Sequence, residues 1–195
     1  SIDDAYRLYR AVKNSNSYFL ITHNYTGYPI VREMRALVKK GAIGKVRSVK
    51  GSYLQGWLAR KEEDTGKNKQ AEWRTDPKRS GQAGGVGDIG SHTLHLIEFI
   101  TGEKLEAVAA DLSTFVKGRK LDDDASMLLR MGNGVKGSIS VSQIAVGEEN
   151  NLTVAIYGES GSLKWCQENP NQAEFNKIGC YKRILTRAST PPSQG

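Results

Sequence analysis

An α+β domain built on a large, open, mostly antiparallel sheet with helices on one face is the fold this sequence predicts. Three observations point to it. From residue 106 onward, apolar or alternating segments follow one another at hairpin spacing, separated by glycine-containing turns, the pattern of antiparallel strands. Ahead of them, two segments carry apolar residues at helical spacing. The opening residues read as a helix and a short apolar strand without partner strands, the last piece of a parallel α/β unit.

Taken in order, Ile2, Ala5, Tyr6, Tyr9 and Val12 keep helical spacing behind Ser1 and an acidic Asp3–Asp4 start, and Asn14 to Ser17 ends that helix. Tyr18 to Thr22 has no polar alternation, so a strand buried on both faces is expected. Behind Pro29, Ile30, Val31, Met34, Leu37 and Val38 define a second helix, with Gly41 placed to cap it. Val46 to Gln55 reads as a strand, and Arg60 to Gly84 as a long polar loop. A helix over Ser91 to Ile100 is closed by Thr101–Gly102. Strands are then expected over Glu106–Val116, Ala125–Met131, Val135–Ala145, Leu152–Tyr157 and Leu163–Gln167, with a hairpin signal at Met131–Gly132–Asn133–Gly134. A sheet covered by helices on one side leaves its other side in need of a dimer partner or a second domain.

Composition is that of a globular domain: 195 residues, 38% hydrophobic and 25% charged. No apolar run approaches the roughly 20 residues of a membrane helix, and no signal-peptide layout is present. Cys166 and Cys180 form no metal-ligand cluster, so reduced thiols and a cytoplasmic location are expected, with one disulfide as the alternative. The net charge of +7 raises nucleic acid as a partner. Against that, the basic residues are scattered, and the Lys61–Lys69 cluster also holds Glu62, Glu63 and Asp64. An anionic small molecule explains the charge as well.

The most informative stretch is Gly84 to Gly102, GGVGDIGSHTLHLIEFITG, which sets Asp88 and His92 four residues apart at a helix entrance, on one face. A carboxylate beside an imidazole suits proton transfer to or from a small substrate; the alternative is a capped helix whose histidine is structural. Gly85 to Gly90 also spells G-x-G-x-x-G, with Asp111 about twenty residues on. That dinucleotide fingerprint needs a buried strand just before it, whereas the preceding segment is polar and contains Pro77. Asp88, His92 and His95 lack the further ligands of a metal site, and no metal is expected.

With these residues in view, the chain resembles the glucose–fructose oxidoreductase / inositol dehydrogenase / MocA family of NAD(P)-dependent oxidoreductases. The matching motifs, in order, are HNYTGYP, VREMRALVKKGAIGKVRSV, YLQGWL, WRTDPKRSG, GGVGDIGSHTLHLIEFITG and IYGESGSLKW. YLQGWL and WRTDP look like the branch acting on pyranoses and anhydrosugars such as levoglucosan. The resemblance implies residues 1–25 as the end of a dinucleotide-binding Rossmann domain and 26–187 as a substrate-binding and oligomerisation domain, while the terminal residues 188–195, ASTPPSQG, read as a disordered tail. The family's glycine fingerprint and its Glu-Lys-Pro motif, whose lysine is catalytic, do not occur in this chain. The chain alone is therefore expected to be inactive.

By position, Asp88 and His92 correspond to the family residues that bind the reacting hydroxyl group and handle its proton. The parent reaction implied is oxidation of a secondary hydroxyl of a sugar or cyclitol by NAD or NADP. Gln55, Trp57, Trp73 and Arg74 offer the aromatic faces and planar hydrogen-bonding groups that hold sugars, with core or interface anchoring as the alternative for the tryptophans. His95 stands where the family often has Asp; it is a second sugar contact or, preferentially, a helix-face packing residue. Tyr25 and Asn24 follow the expected strand's C-terminal end, where ligands of α/β sheets gather, and are expected near the nicotinamide, with interdomain packing as the alternative for Tyr25. A homodimer or homotetramer through the open sheet is expected. The rival reading is a non-catalytic sugar-binding or assembly module.

Overall fold

The computed structural model describes residues 2–187. The 188–195 tail and Ser1, with the expectations attached to them, lie outside the described residues. Helix α1 (Ile2–Lys13) forms as its periodicity predicts, yet buries none of its residues. Tyr18–Thr22 departs from expectation. It pairs with no other strand, and Tyr18, Leu20 and Ile21 are exposed. A strand exists through hydrogen bonds to a neighbour, and no described segment supplies one here.

A 3-10 turn (Asn24–Gly27) leads into α2 (Pro29–Lys39), which buries Ile30, Val31 and Met34. Helix α2 ends in paired turn bonds, Gly41 N–H to Val38 O at 2.9 Å and Ala42 N–H to Leu37 O at 3.0 Å, the arrangement that satisfies orphan carbonyls at a helix C-terminus. Strand β1 (Val46–Leu54) follows. The stretch expected as loop holds two short helices, α3 (Lys69–Arg74) and α4 (Pro77–Ser80), started by Asn68 and Asp76, whose side chains cap Ala71 and Lys78 N–H groups. A π-helical turn (Val86–Gly90) runs directly into α5 (Ser91–Thr101).

The remainder is sheet: β2 (Leu105–Ser113), β3 (Asp124–Met131), β4 (Lys136–Ser142), β5 (Asn151–Gly158), β6 (Gly161–Cys166), β7 (Gln172–Lys177) and β8 (Arg183–Thr186). Strands β7 and β8 were not anticipated, because only Ala173 and Phe175 alternate inward in β7. The eight strands lie in the order β2-β3-β4-β1-β5-β6-β7-β8. Every neighbouring pair is antiparallel except β1 and β4, which run parallel with Gly51 opposite Ile139. The Asn133 turn closes the β3–β4 hairpin with Val135 N–H bonded to Gly132 O at 3.2 Å.

Helices α2 and α5 cover one face, where Val49, Ile139, Val154, Ile156 and Leu163 meet Met34, Leu96, Ile97 and Ile100 in one core. Helix α5 rides close over the sheet at Gly51, where a Cβ would sit 2.5 Å from Thr93 Cγ2. That close approach brings the start of α5, and hence Asp88 and His92, against the C-terminal end of β1. The opposite face leaves Leu112, Leu128 and Ile184 about half exposed or more.

Candidate active site

The π turn carrying Asp88 is fixed from a distance. Asp122, in the connection before β3, accepts from Gly84 N–H at 2.6 Å and Val86 N–H at 2.7 Å, and its own carbonyl accepts from Gly85 N–H at 2.8 Å. A Cβ at Gly84 would lie 2.1 Å from that carbonyl oxygen, so the glycine is required by contact. The turn presents Asp88 toward a cleft of about 580 Å3 that Tyr53, Gln55, Trp57, Arg74 and His92 also line.

Asp88 is half-buried and held by one oxygen. Arg74 Nε and Gln143 Nε2 both donate to Oδ2 at 2.9 Å, leaving Oδ1 without a protein partner among the described residues. Gln143, directly after β4, is 2% exposed. Its backbone is tied to Asp123 O at 2.9 Å and to Leu58 N–H at 3.0 Å.

His92 stands edge-on to His23 and to Tyr25, each with ring centroids 5.2 Å away. Its Nδ1 is buried without a partner among the described residues, which leaves Nε2 as the nitrogen open to a ligand. Burial lowers its pKa from the usual imidazole value, the neighbouring His23 lowers it further, and Asp88 opposes both. The ring is therefore neutral near pH 7 and ready to accept a proton.

Beneath these groups, Tyr25, Tyr53 and Asn150 close a ring of hydrogen bonds. Tyr53 donates to Asn150 Oδ1 at 2.6 Å, so Tyr25 is the donor in its 2.5 Å bond to Tyr53, and Asn150 Nδ2 points back to the Tyr25 oxygen at 3.5 Å. Burial first, then Tyr25, push the Tyr53 pKa upward, so this phenol keeps its proton. Gln55 Nε2 also donates to Asn150 Oδ1, at 2.9 Å, and Trp57 Nε1 donates to Gln55 Oε1 at 3.0 Å. The segment behind Trp57 is anchored by buried Arg119, which donates to Leu58 O and Arg60 O.

Of the residues singled out in the sequence, Gln55, Trp57, Arg74, Asp88 and His92 converge on the cleft. Trp73 does not: it is 42% exposed and lies beneath the Arg74 guanidinium, 5.1 Å from its ring centroid. Helical spacing puts adjacent residues on different faces, so Trp73 and Arg74 cannot both face the cleft. His95 is also off the cleft, stacked on His23 at 4.0 Å, with its pKa lowered by burial and by His23. Tyr25 is buried and Asn24 exposed. Sequence reasoning passed over His23, Tyr53, Gln143 and Asn150. The first two lie inside motifs already quoted, and the last two carried no local signal. A second depression of about 610 Å3 lies on the open face of the sheet, but it contains no histidine.

Comparison with known proteins identifies relatives of this fold. The model for the GFO/IDH/MocA C-terminal domain matches residues 31–164. An oxidoreductase structure from Sinorhizobium meliloti is 39% identical, with a TM-score of 0.83, over 100% of this chain and 50% of that one. Levoglucosan dehydrogenase of Pseudarthrobacter phenanthrenivorans is 28% identical across 88% of this chain and 48% of its own length. An inositol dehydrogenase homolog from Azotobacter vinelandii, complexed with NADH and myo-inositol, is 27% identical with a TM-score of 0.75, over 85% of this chain and 41% of that one. The chain thus spans about half the length of the curated relatives it matches.

Proposed function

The chain belongs to the GFO/IDH/MocA family, and from that premise we propose that it is the substrate-binding and oligomerisation part of an NAD(P)-dependent oxidoreductase. It would oxidise a secondary hydroxyl of a sugar or cyclitol together with a dinucleotide-binding domain, in the cytoplasm, as a homodimer or homotetramer joined through the open face of the sheet. The observation that carries the reading is Asp88 and His92 side by side in one cleft, the first fixed by Arg74 and Gln143, the second neutral. Levoglucosan dehydrogenase and the myo-inositol complex among the relatives support the substrate class.

In this reading Trp57 and Gln55 hold the sugar ring, and Asp88 Oδ1 accepts from the reacting hydroxyl. His92 Nε2 takes the hydroxyl proton as the carbon loses its hydride and the alcohol becomes a carbonyl. When bound, the nicotinamide dinucleotide supplies the hydride acceptor. The residues present fit such a group. Beside the cleft, the Nδ1 atoms of His23 and His92 are buried without partners among the described residues, polar groups left unsatisfied where such a group would adjoin the chain. Exposed Asn24 and the ring of Tyr25 are the residues that would hold it on this side. Tyr53, whose pKa burial pushes upward, keeps its proton, and Tyr25 is engaged in donating to it, which leaves His92 as the base.

The test is reduction of NAD and NADP by the full-length protein with a panel of sugars and cyclitols, for wild type and His92→Ala. Turnover is expected, with a fall of about a hundredfold or more on losing the base. Turnover untouched by the substitution makes His92 structural. No turnover with any substrate moves the sugar-binding or assembly module ahead.

A further inference from the structure

We infer that the substrate presents acceptor-only oxygens, those of a carboxylate or a phosphate, to the end of the cleft formed by α3 and its N-cap. The inference takes from the dehydrogenase reading which end of the cleft holds the reacting hydroxyl. What the other end takes follows from the direction of its hydrogen bonds.

Three side-chain amides line the cleft: Gln55, Asn68 and Gln70. An amide carries one acceptor oxygen and two N–H donors, and in all three the oxygen is already occupied by a donor of the protein itself. Asn68 Oδ1 accepts from Ala71 N–H at 3.1 Å, as the cap of α3. Gln70 Oε1 accepts from Arg74 Nη1. Gln55 Oε1 accepts from Trp57 Nε1 at 3.0 Å. Each oxygen keeps one further lone pair, but the larger share of what these amides keep for a ligand is N–H: both hydrogens of Asn68 and Gln70, and the one hydrogen of Gln55 not given to Asn150.

Arg74 extends the same polarity. Its Nε is bound to Asp88 and its Nη1 to Gln70, while Nη2 has no partner among the described residues. The indole N–H of Trp57, a donor with no acceptor capacity, is spent on Gln55. The α3 end is therefore a wall of side-chain donors, and the side-chain acceptors, Asp88 and His92, stand together where the reacting hydroxyl belongs.

A neutral hydroxyl brought to that wall can accept from these N–H groups, but its own proton meets only the second lone pair of an amide oxygen already bonded within the protein. A carboxylate or phosphate adds acceptors only, and a hydrogen bond to a charged acceptor is about twice as strong as a neutral one. Charge agrees with polarity. Lys67 and Lys69 flank Asn68, are exposed, and have no ion-pair partner among the described residues. Glu72, the acid of α3, does not line the cleft. Glu62, Glu63 and Asp64 lie in the turn packed against α3. Glu63 is bound to Arg119 and Asp64 to Lys61, so Lys67 and Lys69 outweigh Glu62 beside the donors and attract an anion in a salt-dependent way.

The full-length protein is tested with NAD on three sugars that share one ring: glucose, glucuronate and glucose 6-phosphate. Asn68→Asp and Gln70→Glu are made alongside. Each keeps the oxygen that serves the protein's own bond, so α3 and Arg74 stay anchored, and each turns the ligand-facing NH2 into an oxygen. One of the two anionic sugars is expected to exceed glucose in kcat/KM by about tenfold or more, as for a bond to a charged group, and which one it is separates carboxylate from phosphate. Both substitutions are expected to lower the anionic-to-neutral ratio by about tenfold, and the anionic KM rises with added salt. Glucose used as well as either anion, or a ratio unmoved by both substitutions, overturns the inference. If none of the three is oxidised with NAD or NADP, and the wider panel of sugars and cyclitols is silent too, the dehydrogenase reading falls instead. Binding of the same three sugars, followed by NMR at the Trp57 indole and Arg74 Nε, then decides the anionic preference by itself.

Discussion

Two of the arginine–aspartate pairs, Arg119–Asp123 and Arg74–Asp88, differ in a way that distinguishes a scaffold from a site. Arg119 and Asp123 are both 1% exposed, while Arg74 and Asp88 are 28% and 27% exposed. The buried pair is saturated. Arg119 donates to Glu63 twice, to Leu58 O, to Arg60 O and to Asp123, which uses all the N–H groups a guanidinium has. Asp123 also receives the Phe115 and Val116 N–H groups at 2.8 and 3.0 Å. Nothing remains for a ligand, so this pair only fastens the segment behind Trp57 to the β2–β3 connection. The pair in the cleft keeps Asp88 Oδ1 and Arg74 Nη2 unspent. Unused hydrogen-bonding capacity, more than charge or burial, separates the two roles.

The largest effect is expected where that contrast is broken from the buried side. Arg119→Met leaves Asp123 and Glu63 without their cation, and removing one partner of a buried pair costs about 3–5 kcal/mol. Urea unfolding should show this as a lower midpoint; a loss under about 1 kcal/mol would mean that the pair tolerates separation, as exposed pairs do.

Arg74→Met probes the open pair. Its stability loss should stay within about 1 kcal/mol, since a half-open pair contributes little. Turnover of the best sugar by the full-length protein should nevertheless fall by about tenfold or more, because Asp88 loses one of the two groups that orient it. Loss of stability without loss of turnover would make Arg74 a second scaffold arginine.

The smallest effect is a response to pH at the cleft. His92 and His95 have folded-state pKa values below the usual imidazole value, so the unfolded chain takes up protons first as pH falls. Stability is fully present above the unfolded value of about 6.5 and declines below it. Unfolding midpoints at about pH 7.5 and 5.5 should differ in that direction, and a combined His92→Gln, His95→Gln change should reduce the difference. A midpoint that rises on acidification would reverse the assigned sign. The acid limb of kcat/KM should likewise fall below about pH 6.5, because a base of lowered pKa stays neutral further into acid.

The sequence by itself determined what depends on neighbours along the chain. Alternation located β1 to β6, helical spacing located α1, α2 and α5, and the separation of Asp88 and His92 put both on one side of a helix entrance. Each is a consequence of local backbone period. Local period also has limits: Tyr18–Thr22 is apolar enough for a strand yet unpaired, and Trp73 and Arg74 are adjacent yet diverge. Only the tertiary structure decided the rest. The parallel pairing of β1 with β4 sets Gln143 beside Asp88, 55 residues away. Pairing of β1 with β5 sets Asn150 beside Tyr53 and Gln55, and the Asp122 connection fixes the glycine turn from outside it. These partners carry no local signature, because a buried amide or carboxylate has its role set by whichever distant donor or acceptor the sheet order brings to it.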